Sequence, residues 1–121
     1  MRRPCQATCF EPPRECGVTQ SLDTSPAVDL FSWPTRVYWE DTDAGGVVYH
    51  AQYVAFMERA RSEWLRAHGH GQASLRDSHG TVFAVRAMRI DFRLPARLDD
   101  VLSVSVALRH CRRASAVFVQ E

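Results

Sequence analysis

The stretch from Tyr38 to His50 decides the fold, and it reads Tyr-Trp-Glu-Asp-Thr-Asp-Ala-Gly-Gly-Val-Val-Tyr-His. It begins inside a run of β-branched and aromatic residues, 35–40, which predicts a first strand. Residues 41–46 follow, and their composition of Asp, Thr, Ala and Gly predicts a turn. The stretch ends where a different periodicity starts, so it joins a strand to the next element through a short turn.

That next element is a predicted amphipathic helix from about His50 to His68. Gly69 and Gly71 supply its stop signal. The apolar residues recur at helical spacing, which places them in one stripe that we expect to pack on a sheet. The stripe consists of Tyr53, Phe56, Met57, Ala60, Trp64 and Ala67.

The rest of the chain predicts strands separated by short connections. Residues 69–80 are predicted as a loop and residues 81–93 as one long strand, apolar at first and alternating later. Strict alternation over residues 102–109 predicts a second strand, and residues 115–120 begin a third that stops at Glu121. The order strand, helix and then three strands predicts an α+β protein with one helix packed on an antiparallel sheet.

Length and composition place the chain among ordinary globular proteins. It has 121 residues, 45% of them hydrophobic and 24% charged, which suits a single domain. No apolar stretch approaches the roughly 20 residues that cross a bilayer. The formal charge of +1 supplies no general attraction to nucleic acid, whose binding requires the neutralisation of many phosphates. We therefore expect no nucleic-acid partner and no transmembrane segment.

The first 32 residues show no apolar periodicity, and we expect a disordered leader followed by one domain over residues 33–121. Prolines and acidic residues interrupt the apolar core that a signal peptide needs, which favours a cytoplasmic protein with reduced thiols. Of the four cysteines, Cys5, Cys9 and Cys16 lie in the leader and Cys111 lies far from them. Their spacing predicts neither a disulfide framework nor a zinc site.

The stretch at residues 38–50, followed by Tyr53 and by Glu58-Arg59-Ala60-Arg61, resembles the signature of the 4-hydroxybenzoyl-CoA thioesterase family. It is most similar to the branch associated with the Tol-Pal cell-envelope system. The likeness continues through residues 83–86, 95–100 and 117–120, and it covers residues 33–121.

The resemblance implies a hotdog fold, in which a curled antiparallel sheet wraps one long central helix. It also implies hydrolysis of acyl-CoA, or of an acyl group on acyl carrier protein, by a homodimer or homotetramer that has no metal or organic cofactor. The family's fold continues past residue 121 into another strand, so the resemblance predicts a hotdog domain truncated at its C-terminal strand.

By the resemblance, the catalytic carboxylate falls on Asp43, and the backbone amide that faces the substrate carbonyl falls on His50. An N–H group at a helix N-terminus stabilises the oxyanion formed during thioester cleavage, and the helix dipole favours an ionised carboxylate there. Asp43 would attack the carbonyl directly or take a proton from water, and the sequence leaves both routes open. A turn or helix-cap role is the structural alternative for Asp43.

The predicted substrate-binding residues belong to the same stretch and to later arginines. Glycine allows close approach of the backbone to substrate, and arginine matches phosphate oxygens with its forked donors. Arg86 and Arg93 are further candidates for the phosphates of CoA, although outward arginines on a strand are often only solvated. The set consists of Gly45, Gly46, Val47, Tyr49, Arg89 and Arg97.

Two other functions compete with a thioesterase. A hotdog hydratase also combines a His with a carboxylate, although its characteristic helix segment differs from residues 50–68. A catalytically inactive or truncated hotdog domain would instead bind acyl carriers or envelope-associated partners.

Trp39 stands where related proteins often carry Tyr, so any help from that hydroxyl is absent here.

Overall fold

The computed structural model describes residues 6–8 and 30–121. Within them the chain forms five strands, two α-helices and one 3₁₀ turn. In chain order these are β1 (Gln6–Thr8), β2 (Phe31–Arg36), the 3₁₀ turn (Trp39–Asp41), α1 (Gln52–Ala67), α2 (Gln72–His79), β3 (Arg89–Asp91), β4 (Val101–Arg112) and β5 (Ser115–Gln120).

The strands form one antiparallel sheet in the order β2-β4-β5-β1-β3. The long strand β4 organises it, because its first half pairs with β2 and its second half pairs with β5. The register between β4 and β5 shifts between Leu108 and His110, as at a β-bulge. Pro34 is tolerated within β2 because that strand lies at the edge of the sheet.

Helix α1 packs on this sheet through the stripe that its sequence predicts. Four of its six residues, Tyr53, Phe56, Met57 and Ala60, are buried, whereas Trp64 is half-buried against the core and Ala67 is exposed. The alternating residues of β4 supply the facing layer, so that the helix and the sheet share one core. Its buried members are Val37, Val48, Tyr53, Phe56, Met57, Ala60, Ala96, Val104 and Val106.

Three predicted elements differ from the structure. The first strand lies earlier than predicted, over Phe31–Arg36, and residues 39–41 form the 3₁₀ turn instead. The predicted loop 69–80 contains α2, which lacks an apolar stripe and ends at Gly80 with a left-handed φ of 60°. The predicted strand 81–93 shortens to Arg89–Asp91, because no described residue pairs with 81–88 to form a ladder.

Most of the predicted leader lies outside the described residues, including Cys5, Cys9 and Cys16. Residues 6–8 are its described part before residue 30, and they form β1 between β3 and β5. The division of the chain into a leader and a domain stays a prediction. Cys111 is a free, exposed thiol on β4.

Candidate active site

Asp43 lies at the start of a tight hairpin turn. Thr42 and Val48 form a β-bridge, and the Asp43 N–H donates to the Val47 carbonyl at 2.9 Å. The Gly46 N–H donates back to the Asp43 carbonyl at 2.9 Å, which closes the turn. Gly46 has a φ of 73°, the left-handed conformation that three-residue hairpin loops require and that glycine adopts without strain.

The two neighbouring aspartates have different environments. Asp41 is only 2% exposed, and its Oδ2 accepts the Tyr38 N–H at 2.8 Å, so it stabilises the local backbone. Asp43 is exposed, and its Oδ1 accepts the Gly45 N–H at 2.8 Å. Among the described residues nothing donates a hydrogen bond to its Oδ2. Asp43 is therefore the carboxylate of this pair that presents an oxygen to solvent.

His50 lies immediately before helix α1, whose N-cap is Ala51. Its ring packs between two aromatic rings, with centroid distances of 4.4 Å to Tyr49 and 6.4 Å to Phe92. No carbonyl or side chain in the described part of the protein accepts a hydrogen bond from the His50 N–H. This backbone donor is therefore available at the positive end of a 16-residue helix.

A cavity of about 340 Å³ brings Asp43 and His50 together. Its walls come from two parts of the chain that are far apart in sequence, the hairpin with the start of α1 and the segment after β3. Besides Asp43 and His50, its lining consists of Val47, Val48, Tyr53, Phe92, Arg93, Leu94 and Pro95.

Hydrogen bonds to Ala96 fix these two parts against each other. The Ala96 N–H donates to the Tyr53 hydroxyl oxygen at 3.0 Å, and the Ala96 carbonyl accepts the Val48 N–H at 2.8 Å. Ala96 and Tyr53 are each 6% exposed, so both bonds are shielded from water. The segment after β3 is thereby attached to both the helix and the hairpin.

A larger cavity of about 1150 Å³ adjoins the first one. The two cavities share Tyr53, Leu94 and Pro95. The larger cavity lies beside Phe56 and Met57 of α1 and is lined mainly by apolar residues. A substrate bound at Asp43 would therefore have space for a hydrocarbon group on the far side of Tyr53.

The other predicted binding residues do not all line the cavity that contains Asp43. Val47 lines the cavity that contains Asp43, whereas Arg97 lines the larger cavity. Tyr49 contacts the His50 ring, and the two glycines shape the Asp43 turn. Arg89 lies on β3 and lines neither of these two cavities. Its Nε is instead 3.6 Å from Asp91 Oδ2.

Sequence reasoning did not assign Tyr53, Phe92, Leu94 or Pro95 to the site. Tyr53 was predicted as core, and it is core, but its hydroxyl also holds the cavity wall. Phe92 lies in the alternating part of the predicted strand 81–93, and Leu94 and Pro95 follow it. A period of two says which face of a strand a residue occupies but not which cavity lies beneath it.

Gly45 holds the Asp43 carboxylate in place, and a methyl group there should disturb it. A Cβ on Gly45 would lie 3.0 Å from Asp43 Oδ1, tighter than an ordinary contact. With Asp43 in its predicted catalytic role, we expect Gly45→Ala to lower kcat/KM for thioester cleavage by about tenfold, since small displacements of a reacting group are costly. Gly71→Ala is the matched control, because no atom lies within 4 Å of its added Cβ. Equal activity of the two variants would show that this contact does not position Asp43.

No group of three or more His, Cys, Asp or Glu side chains in the described residues is arranged to hold a metal ion. Among the same residues, no helix is both long and apolar enough to span a membrane.

Comparison with known proteins places this chain in a family. A model of the thioesterase superfamily matches residues 45–121. An acyl-CoA thioester hydrolase YbgC of Escherichia coli is 54% identical over 91 residues, which is 75% of this chain and 67% of that protein. The acyl-CoA thioesterase YbgC of Haemophilus influenzae is 47% identical over 90 residues, 74% of this chain and 66% of that protein.

Two solved structures of thioesterases are also similar to this chain. The crystal structure of a probable thioesterase from Bartonella henselae matches with a TM-score of 0.66 and 33% identity, over 75% of this chain and 86% of that one. A 1,4-dihydroxy-2-naphthoyl-CoA thioesterase from Synechocystis, 24% identical, matches in fold with a TM-score of 0.63 over 75% of this chain and 77% of that one. The predicted hotdog fold, an antiparallel sheet with a central helix, is confirmed, and the chain belongs to the thioesterase superfamily.

Proposed function

We propose that this thioester hydrolase cleaves short or medium acyl-CoA, or the same acyl groups on acyl carrier protein, with Asp43 as the catalytic carboxylate. The observation that carries the proposal is the shared cavity of Asp43 and His50. That cavity is lined both by the exposed Asp43 carboxylate and by His50, whose backbone N–H has no acceptor among the described residues. The acyl-CoA substrates in the names of the YbgC relatives support the same substrate class.

Asp43 and the His50 N–H suit the two tasks of thioester cleavage, which are attack on the carbonyl carbon and stabilisation of the oxyanion. As a nucleophile, Asp43 would bond to the carbonyl carbon, expel the thiolate and leave an acyl anhydride for water to hydrolyse. As a general base, it would take a proton from a water whose oxygen attacks the carbonyl carbon, and collapse of the tetrahedral intermediate would then break the C–S bond and release the thiolate, which takes up a proton. In either route the carbonyl oxygen becomes an oxyanion, which the His50 N–H and the dipole of α1 would stabilise.

The cavities support an acyl group of limited size. The cavity around Asp43 is large enough for the thioester and the first carbons of the acyl group, and the larger cavity beyond Tyr53 offers apolar space for a longer chain. Apolar walls favour a hydrocarbon group because its burial releases ordered water.

The test is release of free thiol from a panel of acyl-CoAs of increasing chain length, with 4-hydroxybenzoyl-CoA included. We expect hydrolysis of short and medium chains. A folded protein that cleaves none of them would contradict the proposal and favour a domain that only binds acyl carriers. Efficient cleavage of 4-hydroxybenzoyl-CoA would support the finer resemblance to that branch, while the Tol-Pal association and the cytoplasmic location stay predictions.

We also propose that two or more copies associate. Val82, Phe83 and Val85 are 71%, 58% and 66% exposed on a segment that no described strand pairs, and a second copy would cover such an apolar surface. Light scattering at micromolar concentration should give at least a dimer, and Phe83→Asp should shift the mass toward a monomer. A wild-type monomer would contradict this prediction.

A further inference from the structure

Arg93 is a charged residue in the cavity that contains Asp43 and His50. It follows Phe92, whose ring contacts His50 and lies 5.6 Å from that of Tyr53 in an edge-on arrangement. Among the described residues, none of the ion pairs includes Arg93, although the residue lines the same cavity as an aspartate. Its guanidinium is therefore available to a ligand.

The phosphates of the carrier lie too far from the thioester to be the group that Arg93 binds. An extended pantetheine arm separates the thioester sulfur from the nearest phosphate by roughly 16 Å, at about 1.2 Å for each bond of an extended chain. Over that length the carrier arm is uncharged, so the acyl group is the part of the substrate that would bring a negative charge into the Asp43 cavity.

An anionic acyl group would be repelled by Asp43 in this cavity if Arg93 were absent. The Asp43 carboxylate repels a second carboxylate at short range. Arg93 lines the same cavity, so its guanidinium would offset that repulsion, and its planar fork can bind both oxygens of a carboxylate.

We propose that Arg93 determines substrate specificity by accepting acyl groups that carry a carboxylate a few bonds from the thioester. The chemical class is the CoA ester of a short dicarboxylic acid. The inference rests on the proposed function, because it assumes that the thioester carbonyl lies at Asp43. Arg89 and Arg97 have no such role, since neither lines the Asp43 cavity.

The experiment compares two substrates of equal carbon number, glutaryl-CoA and pentanoyl-CoA, in thiol-release assays. Enzyme-free and Asp43→Asn reactions give the background. We expect Arg93→Gln to lower kcat/KM for glutaryl-CoA by about tenfold or more and to leave that for pentanoyl-CoA within about threefold. Arg93→Lys should retain part of the preference because it keeps the charge. Added salt should weaken the glutaryl-CoA reaction of the wild type more than the pentanoyl-CoA reaction.

Arg89→Gln is the matched control, because it removes the same charge from an exposed position outside both cavities. It should not change the ratio of the two substrates. An equal loss on both substrates in Arg93→Gln, or no loss on either, would overturn the inference. A wild type that cleaves pentanoyl-CoA while Arg93→Gln leaves the ratio unchanged would refute only the role of Arg93, whereas a folded wild type that cleaves no acyl-CoA would refute the proposed function itself.

Discussion

Asp43→Asn is expected to lower kcat/KM for acyl-CoA hydrolysis by at least about a hundredfold, in line with the loss of a group that reacts with substrate. Asn keeps the shape of the side chain and an oxygen that can accept the Gly45 N–H, so the hairpin turn should persist. It lacks the ionised carboxylate oxygen that, in the proposed function, either attacks the carbonyl carbon or takes a proton from water. Thiol release at saturating and limiting acyl-CoA would measure the effect.

Asp77→Asn is the control for this substitution. Asp77 lies on α2, pairs with Arg76 at 2.8 Å and lines neither cavity, so its variant should hydrolyse acyl-CoA like the wild type. Thermal unfolding of the Asp43 variant should match that of the wild type, which would separate a chemical defect from a folding defect. Equal activity of Asp43→Asn and wild type would rule out Asp43 as the catalytic residue.

Phe56→Ala is expected to lower the free energy of unfolding by about 3–5 kcal/mol. Phe56 is 1% exposed, lies at the centre of the α1 stripe and contacts the ring of Tyr53 edge-on at 6.2 Å. Truncation removes a large apolar surface and leaves a cavity that the sheet can close only in part. Urea unfolding followed by tryptophan fluorescence would measure the change.

Two variants bracket that result. Phe56→Leu retains most of the volume and should cost clearly less than Phe56→Ala. Ser74→Ala truncates an exposed side chain on α2, outside the proposed contact between copies, and it should change stability little. A loss below about 1 kcal/mol for Phe56→Ala would show that the helix does not depend on this contact.

The sequence predicted those helices and strands in which burial sets the spacing of the apolar residues. The α1 stripe and the alternation of β4 report directly on which face meets the core, and both elements were found where predicted. Helix α2 was missed because its residues are exposed or half-buried and carry no apolar period. The apolar run 81–88 predicted a strand, yet a strand also needs a hydrogen-bonding neighbour, which a local pattern does not reveal.

Only the part of the candidate site that belongs to residues 38–50 was predictable from the sequence. Asp43 and His50 belong to one contiguous stretch, so the resemblance could assign them a role, which stays a prediction. Asp41 and Asp43 look equivalent in sequence, and only burial and hydrogen bonding distinguish them. The second half of the cavity comes from residues 92–95, and their proximity to Asp43 depends on the tertiary fold.

The hydrogen bonds of Ala96 have a consequence for how the site comes into existence during folding. They join residues that are more than forty positions apart, Val48 and Tyr53 on one side and Ala96 on the other. Contacts of such high sequence separation form late, because the loop between them must first lose its conformational entropy. A compact intermediate that already contains α1 would still have no cavity at Asp43, so a nascent chain gains its candidate active site only together with its long-range topology.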